Sequence, residues 1–244
     1  MRKVGLLLLA LSLGACASGG TLKAQGWRDP YYGSYGTTSY SYGYGRPRYA
    51  PPAVARGETP ASLEAEVLAE INRVRTHPER YAERLRAYRA WYHGDVVRAP
   101  GDAVGIRTHE GVAALDEAIE DVERRRALKP LVPNSHLRAS AARLAEEEGP
   151  TGVVGHVGPD GLTPGQRMRE AGVWAGITEE NISFGQATAA AVVRQLVIDD
   201  GVRDRGHRNS IFEPGLTVAG VSCGPHARYG YMCVIDFAGA LAQR

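Results

Sequence analysis

Hydrophobic residues recur at helical spacing from about residue 60 to residue 198. In the first stretch, Leu63, Val67 and Ile71 fall on one face, which is typical of a helix that packs against a core. Thr59 is suited to cap this helix, and Pro60 fits its first turn. The same spacing predicts further helices over residues 76–88, 109–128, 134–148, 163–171 and 187–198.

Capping residues mark several ends of these helices. Thr76 and Glu79 have the spacing of a capping box, which predicts the start of the second helix. Asn134 or Ser135 caps the fourth helix, and Gly172 ends the fifth. Because Gly and Pro interrupt residues 93–108, this stretch is predicted to be a loop.

Short runs of β-branched and aromatic residues come late in the chain. They cover residues 182–184, 216–222 and 231–237 and predict strands. A turn-rich stretch joins the last two runs, a predicted helix separates the first run from them, and the rest of the folded part is mostly helical. The fold class is therefore predicted to be α+β, with a small antiparallel sheet.

The beginning of the chain has the pattern of a bacterial export signal. Met1-Arg2-Lys3 is positively charged, and the apolar run at 4–13 is too short for a membrane-spanning helix. The run ends in Leu13-Gly14-Ala15-Cys16, which resembles a lipobox, whose cysteine carries lipid in the mature protein. Residues 1–15 are therefore interpreted as a lipoprotein signal peptide; the alternative is a plain secretory signal.

The residue after Cys16 is the one that resembles a sorting signal for the membrane in which a lipoprotein is placed. Ala17 follows Cys16, and a residue other than Asp at this place resembles the pattern of sorting to the outer membrane. We therefore expect an outer-membrane lipoprotein of a bacterial cell envelope, attached to the membrane through lipid at Cys16. With a plain signal peptide the protein would be secreted.

Residues 16–61 lack the aliphatic side chains that a core requires. Tyrosines alternate there with Gly, Ser and Thr, and prolines follow. This composition predicts a disordered tether between the lipid and a folded domain at 62–244. An alternative is that its tyrosines and arginines bind envelope polymers. The tyrosines are Tyr31, Tyr32, Tyr35, Tyr40, Tyr42, Tyr44 and Tyr49.

Charge excludes one class of partner. The 244 residues include 29 Lys and Arg against 27 Asp and Glu. This near balance does not provide the basic surface by which proteins bind nucleic acid.

Two cysteines lie near the end of the chain, and export would place them in an oxidising compartment. Cys223 and Cys233 flank the turn-rich stretch 224–230, so a hairpin would bring them opposite each other. A disulfide is therefore predicted, with two buried thiols as the alternative. His226, near the tip of this hairpin, is expected to be exposed.

Three polar segments carry the candidate chemistry. They are residues 199–209, with two acids and the Gly-framed His207; residues 155–161, with His156; and residues 178–182, with Glu180. A histidine in a polar loop is usually only solvated, so no single segment is decisive.

In their order and spacing these segments resemble the CAP superfamily of cysteine-rich secretory, antigen-five and pathogenesis-related proteins, bacterial members above all. The resemblance covers residues 62–238. Its motifs are Ile71-Asn72-x-x-Arg75, Leu131-Val132-Pro133-Asn134, Gly155-His156-x-x-Pro159-Asp160-Gly161, Glu180-Asn181-Ile182, Gly206-His207-Arg208-Asn209-x-Ile211 and Cys233-Val234-Ile235-Asp236-Phe237.

The resemblance implies a three-layer α-β-α sandwich and a cleft that contains two histidines and two acids. Carried over, the histidines are His156 and His207, and the first acid is Glu180. The second acid of the family is a Glu at the end of the preceding helix, where this chain has Asp199 and Asp200. Asp200 is preferred, with a register uncertain by one residue. The shorter Asp would give a looser or differently shaped site.

Two imidazoles and two carboxylates are suited to a divalent cation, most naturally Zn²⁺. His156 and His207 would be its ligands, and the acids would be ligands or would orient the imidazoles. The alternative is a hydrogen-bonded cluster that only holds loops together. The function expected is an envelope-anchored, non-enzymatic module whose cleft binds a lipid, cell-wall material or a protein. The alternative is a hydrolase that uses the same four residues, with Glu180 as general base.

Overall fold

A computed structural model describes residues 60–100 and 105–242 of the chain. Cys16, the predicted signal peptide and the predicted tether up to residue 59 lie outside the described residues. Among the helices that are described, none is both long enough and apolar enough to cross a bilayer.

Helices dominate the described part of the chain and strands come mainly at its end. The α-helices are α1 (Pro60–Thr76), α2 (Pro78–Tyr88), α3 (Val112–Arg124), α4 (Ser135–Glu148), α5 (Pro164–Glu170), α6 (Ala189–Ile198) and α7 (Gly206–Ile211), with a 3₁₀ turn at Arg89–Trp91. The strands are β1 (Tyr92–His93), β2 (Val96–Val97), β3 (Ile106–Arg107), β4 (Val132–Pro133), β5 (Ala175–Phe184), β6 (Val218–His226) and β7 (Gly230–Leu241).

The main sheet has four strands in the order β4-β6-β7-β5. The three long strands pair antiparallel, as predicted, with Asn181 opposite Ile235 and Val221 opposite the same residue on the other side. The two-residue strand β4 adds a parallel edge. Strand β5 forms the opposite edge of this sheet.

Alternate residues of β7 point to opposite faces of the sheet. Ile235 and Phe237 belong to the large core formed with α1, α2, α3 and α6. Met232 and Val234 instead pack with α4, and Ala238 packs with residues of α4 and α5. Helices therefore cover both faces, which confirms the three-layer α-β-α sandwich.

Close approach of α4 to the sheet depends on a glycine. A Cβ atom at Gly220 would lie only 2.0 Å from the backbone nitrogen of Arg138. Any larger residue at Gly220 would force the helix away from the sheet, because backbone atoms cannot move aside as a flexible side chain can.

The predicted disulfide between Cys223 and Cys233 is confirmed. The two residues are directly opposite in the β6–β7 ladder, with a Cα–Cα distance of 4.1 Å and bonded sulfurs. The bond closes a hairpin of sequence separation 10.

Replacing both Cys223 and Cys233 by Ala should lower the free energy of unfolding by about 2 to 3 kcal/mol, because the crosslink restricts the unfolded chain. Urea denaturation would measure the loss. Cys16→Ala serves as the control and should leave the midpoint unchanged; equal midpoints for the double variant and the wild type would contradict the prediction.

Several sequence-based boundaries were wrong for identifiable reasons. The capping box predicted at Thr76 does not form, since Thr76 ends α1 and its hydroxyl donates to Asn72 O at 2.6 Å. His77 is the cap residue of α2 and makes no side-chain cap. Residues 92–107 contain the small sheet β1-β2-β3 where a loop was predicted, because two-residue strands leave no readable alternation.

Two further elements were missed where polar residues interrupt the apolar pattern. Strand β5 begins at Ala175, seven residues before the predicted start, since Thr178–Glu180 breaks the hydrophobic run. The short helix α7 was not predicted at all, because its sequence is mostly polar. Both polar stretches carry residues of the candidate cleft.

Candidate functional site

Strand β5 holds the two halves of the candidate site together. Adjacent residues of a strand point to opposite faces, and Glu180 and Asn181 do so here. Glu180 contacts Arg167 of α5, whereas the Asn181 amide donates to the backbone oxygen of His207 in α7 at 2.9 Å. The two helical layers therefore meet at this edge of the sheet.

One half of the site is the pair His156 and Glu180. His156 Nδ1 lies 2.7 Å from Glu180 Oε1. The Arg167 guanidinium donates to the other carboxylate oxygen at 2.5 Å, and it also donates to His156 O and Leu162 O, each at 2.8 Å. Arg167 thereby fastens the loop that carries His156 to strand β5.

The other half is the pair His207 and Asp199. His207 Nδ1 lies 2.6 Å from Asp199 Oδ1, and the His207 backbone N–H donates to Asp199 Oδ2 at 2.9 Å. Asp199 caps the end of α6 in the left-handed conformation, with φ at 56°. This turn of the backbone directs its side chain toward α7.

The preference for Asp200 as the second acid was wrong. Its carboxylate accepts the backbone N–H groups of His109 and Glu110, at 2.7 and 2.8 Å. It therefore orders the chain ahead of α3, whereas Asp199 is the partner of His207. The prediction continued the helical spacing of α6 past Ile198. Because the backbone is left-handed at Asp199, the acid that faces His207 comes one residue earlier than predicted.

The pairs His156–Glu180 and His207–Asp199 have the same arrangement. The imidazoles of His156 and His207 are 18% and 13% exposed, while the carboxylates of Glu180 and Asp199 are 1% and 2% exposed. Each buried acid fixes an Nδ1, so Nε2 is the ring nitrogen through which either imidazole would bind a ligand or accept a proton. The structure thus forms two histidine–carboxylate pairs, which contain three of the four predicted residues together with Asp199 in place of Asp200.

Two more acids are buried behind Glu180. Glu148 of α4 and Asp236 of β7 are fully buried, and their carboxyl oxygens have no well-formed hydrogen bond within the described residues, although Ser140 and Glu180 face Asp236. Burial, reinforced by the charge of Glu180, raises the pKa of Glu148 to about 7. The same two causes raise the pKa of Asp236 well above its usual value.

Sequence reasoning missed Arg167 and Glu179. Arg167 stands in a helix of ordinary composition, and only tertiary packing buries it against Glu180. Glu179 adjoins the Glu180-Asn181 motif, and burial raises its pKa.

Ser210 Oγ lies 3.5 Å from Glu179 Oε2 and donates to Gly206 O, so it is engaged away from the His207–Asp199 pair.

His226 is buried, which corrects the expectation of an exposed hairpin tip. Its Nε2 is 2.9 Å from Val153 O, and its Nδ1 accepts the Tyr229 N–H at 3.1 Å. Its ring also stacks on Tyr229 and contacts Phe184 edge-on. The histidine therefore joins the hairpin to the loop after α4.

The arrangement of the possible ligands decides whether a metal ion could bind here. Within residues 60–100 and 105–242 no three His, Cys, Asp or Glu side chains converge as a metal site. Each acid already bonds to an Nδ1, so its role beside a metal ion would be to orient an imidazole.

Solved structures with a similar domain come from three bacteria, and each similarity is distant. An extracellular protein with an SCP domain from Bacillus anthracis is 17% identical (TM-score 0.39; 52% of this chain, 37% of that chain). An outer surface protein of Borrelia burgdorferi is 18% identical (TM-score 0.39; 46% and 80%). A cysteine-rich secretory protein of Staphylococcus aureus is 16% identical (TM-score 0.35; 52% and 37%).

The match therefore spans little more than a third of the Bacillus protein. Comparison with curated proteins found no significant match. The model of the cysteine-rich secretory protein family, CAP, matches residues 68–237, which is well over half of the chain and contains all four cleft residues. The chain therefore belongs to the CAP family.

Proposed function

We propose that this protein is an envelope-anchored CAP-domain lipoprotein whose cleft at the edge of β5 binds a ligand without chemical turnover. The observation that supports the cleft is the pair of imidazoles on either side of Glu180 and Asn181, each fixed through Nδ1 by a buried carboxylate. Binding sites hold a few polar groups in set orientations, and this arrangement does so.

The ligand classes are a lipid, cell-wall material or a protein. Attachment through lipid at Cys16 would keep the domain close to all three at the membrane surface. The stretch from residue 17 to residue 61 would set its reach from the membrane.

Retention of the full chain on isolated peptidoglycan and on phospholipid vesicles tests the cleft, with Cys16→Ala introduced to remove the lipid contribution. Replacing both His156 and His207 by Gln should weaken the retention at least about tenfold, since two oriented polar contacts are lost. The control is His93→Gln, an exposed histidine of β1. Equal retention of all three proteins would contradict a role of the cleft.

A divalent ion such as Zn²⁺ would be held by His156 and His207 and would supply a polarising charge to a bound ligand. Calorimetric titration with zinc should then show one site that His207→Gln abolishes. Asp199→Asn should weaken binding about 10- to 100-fold, because Asp199 orients the ligand imidazole. Asp200→Asn is the matched control and should leave the affinity unchanged; equal effects of the two Asn variants would exclude this assignment.

A hydrolase is the second candidate. It is favoured by the contact of each histidine Nδ1 with a carboxylate, the arrangement that prepares an imidazole for general acid–base catalysis. His207→Ala would then abolish turnover in a folded protein. Absence of turnover across peptide, phosphoester and glycan substrates would eliminate this candidate and leave the binding module.

A further inference from the structure

A second concave site lies between α2, the 3₁₀ turn and α6. It encloses about 330 Å³, at the lower end of small-molecule sites. None of the four cleft residues lines it. The residues that matter for its chemistry are Tyr81, Arg84, Tyr88, Trp91 and Arg194.

Three of its eight lining residues are aromatic, namely Tyr81, Tyr88 and Trp91. Tyr81 and Leu85 are buried, whereas Trp91 is 38% exposed. A large indole that remains partly open to solvent beside a pocket offers a flat apolar surface for a second ring.

Two arginines line the pocket, and they differ in their partners. Arg84 is paired with the buried carboxylate of Glu70 at 2.7 Å. The guanidinium carbon of Arg194 lies 3.9 Å from the centre of the Tyr88 ring, and within the described residues Arg194 has no carboxylate partner or hydrogen-bond acceptor. The Tyr88 ring covers one face of the guanidinium, and the N–H edge of the guanidinium is available to an anion.

We propose that this pocket binds a small aromatic carboxylate. The carboxylate accepts the parallel N–H groups of Arg194, and the aromatic body stacks against Trp91. Arg194 supplies the positive charge with which the carboxylate would pair. The planar guanidinium edge favours a carboxylate because the two groups match as a bidentate pair.

Titration of the full chain with 2-naphthoate tests the pocket, followed by NMR at the Trp91 indole N–H, which Trp91→Phe identifies. Saturable binding that shifts this signal is expected. Arg194→Gln should weaken binding at least about tenfold, the effect of losing a hydrogen-bonded charge. The neutral analogue 2-naphthylmethanol should bind at least about tenfold more weakly than 2-naphthoate.

The matched control is Arg228→Gln, since Arg228 also lies over a tyrosine, at 5.1 Å from the Tyr229 ring, but on the β6–β7 hairpin. This variant should bind like the wild type. Trp91→Leu, at a partly exposed position, should weaken binding and keeps the test decisive if Arg194→Gln folds poorly. Equal loss in the Arg194 and Arg228 variants, no saturation, or equal affinity for the neutral analogue would overturn the proposal.

Discussion

Arg167→Met should lower the free energy of unfolding by about 3 to 5 kcal/mol, the cost of leaving a buried charge without its partner. The Arg167 and Glu180 side chains are 0% and 1% exposed, and their charged atoms lie 2.5 Å apart. Without the guanidinium, the Glu180 carboxylate keeps His156 and faces Asp236, but it has no permanently charged cation beside it. The loop that carries His156 also loses the two hydrogen bonds that the Arg167 side chain donates to its backbone oxygens.

The matched control is Arg169→Met, at an exposed position two residues further along α5. It should change stability by no more than about 0.5 kcal/mol. Adding Glu180→Gln to Arg167→Met should recover part of the loss, because the uncompensated charge is then removed. Urea denaturation compares the four proteins, and a loss below about 1 kcal/mol in Arg167→Met would contradict the argument.

The second large effect concerns pH. Burial raises the pKa of Glu148 to about 7, above the ordinary value of 4.5 that it regains on unfolding. The native state therefore binds this proton more tightly than the unfolded state does. The stabilisation is fully present below pH 4.5 and is lost as pH rises through 7. For one group, a rise of the pKa from 4.5 to about 7 corresponds to about 3 kcal/mol in the free energy of unfolding.

The groups that act on Glu148 are Glu180, Arg167, His156 and Glu147, and burial outweighs all of them. Asp236 shifts in the same direction and adds to the effect. Acids whose pKa is lowered in the folded protein, such as Glu110 with a pKa of about 2, lose their stabilisation only at lower pH. Among the acids, those whose pKa is raised in the folded protein therefore account for a loss of stability between pH 5 and pH 8.

Glu148→Gln isolates this contribution. Denaturation midpoints of the wild type should fall from pH 5 to pH 8, and those of Glu148→Gln should fall much less. Glu146→Gln, on the exposed side of α4, should follow the wild type. If the denaturation midpoint of the wild type instead rose from pH 5 to pH 8 together with that of Glu148→Gln, the assignment of the pH dependence to Glu148 would be refuted.

Features governed by local pattern could be predicted from the sequence. The cap of α4 at Asn134, the apolar faces of α1 and α6, and the disulfide across the hairpin all follow from spacing between near neighbours. The resemblance of the polar motifs to the CAP superfamily then indicated His156, Glu180 and His207 as candidate cleft residues. These predictions needed no knowledge of how distant segments pack.

Features governed by tertiary packing could not be predicted in this way. Whether Asp199 or Asp200 meets His207 depends on a single left-handed residue, which a helical register cannot reveal. The burial of Arg167 and Asp236 depends on segments far apart in the chain closing over them. Charged residues in such sequences are ordinarily exposed, so a single sequence gives no sign of their burial.

The position of β5 at the sheet edge has a consequence for folding. His156 comes from one helical layer and His207 from the other, and Glu180 and Asn181 join them only when both layers have docked. Neither layer contains a complete site. The candidate site therefore forms only once both layers are in place, and local opening of either layer would separate the two histidine–carboxylate pairs before the rest of the domain unfolds.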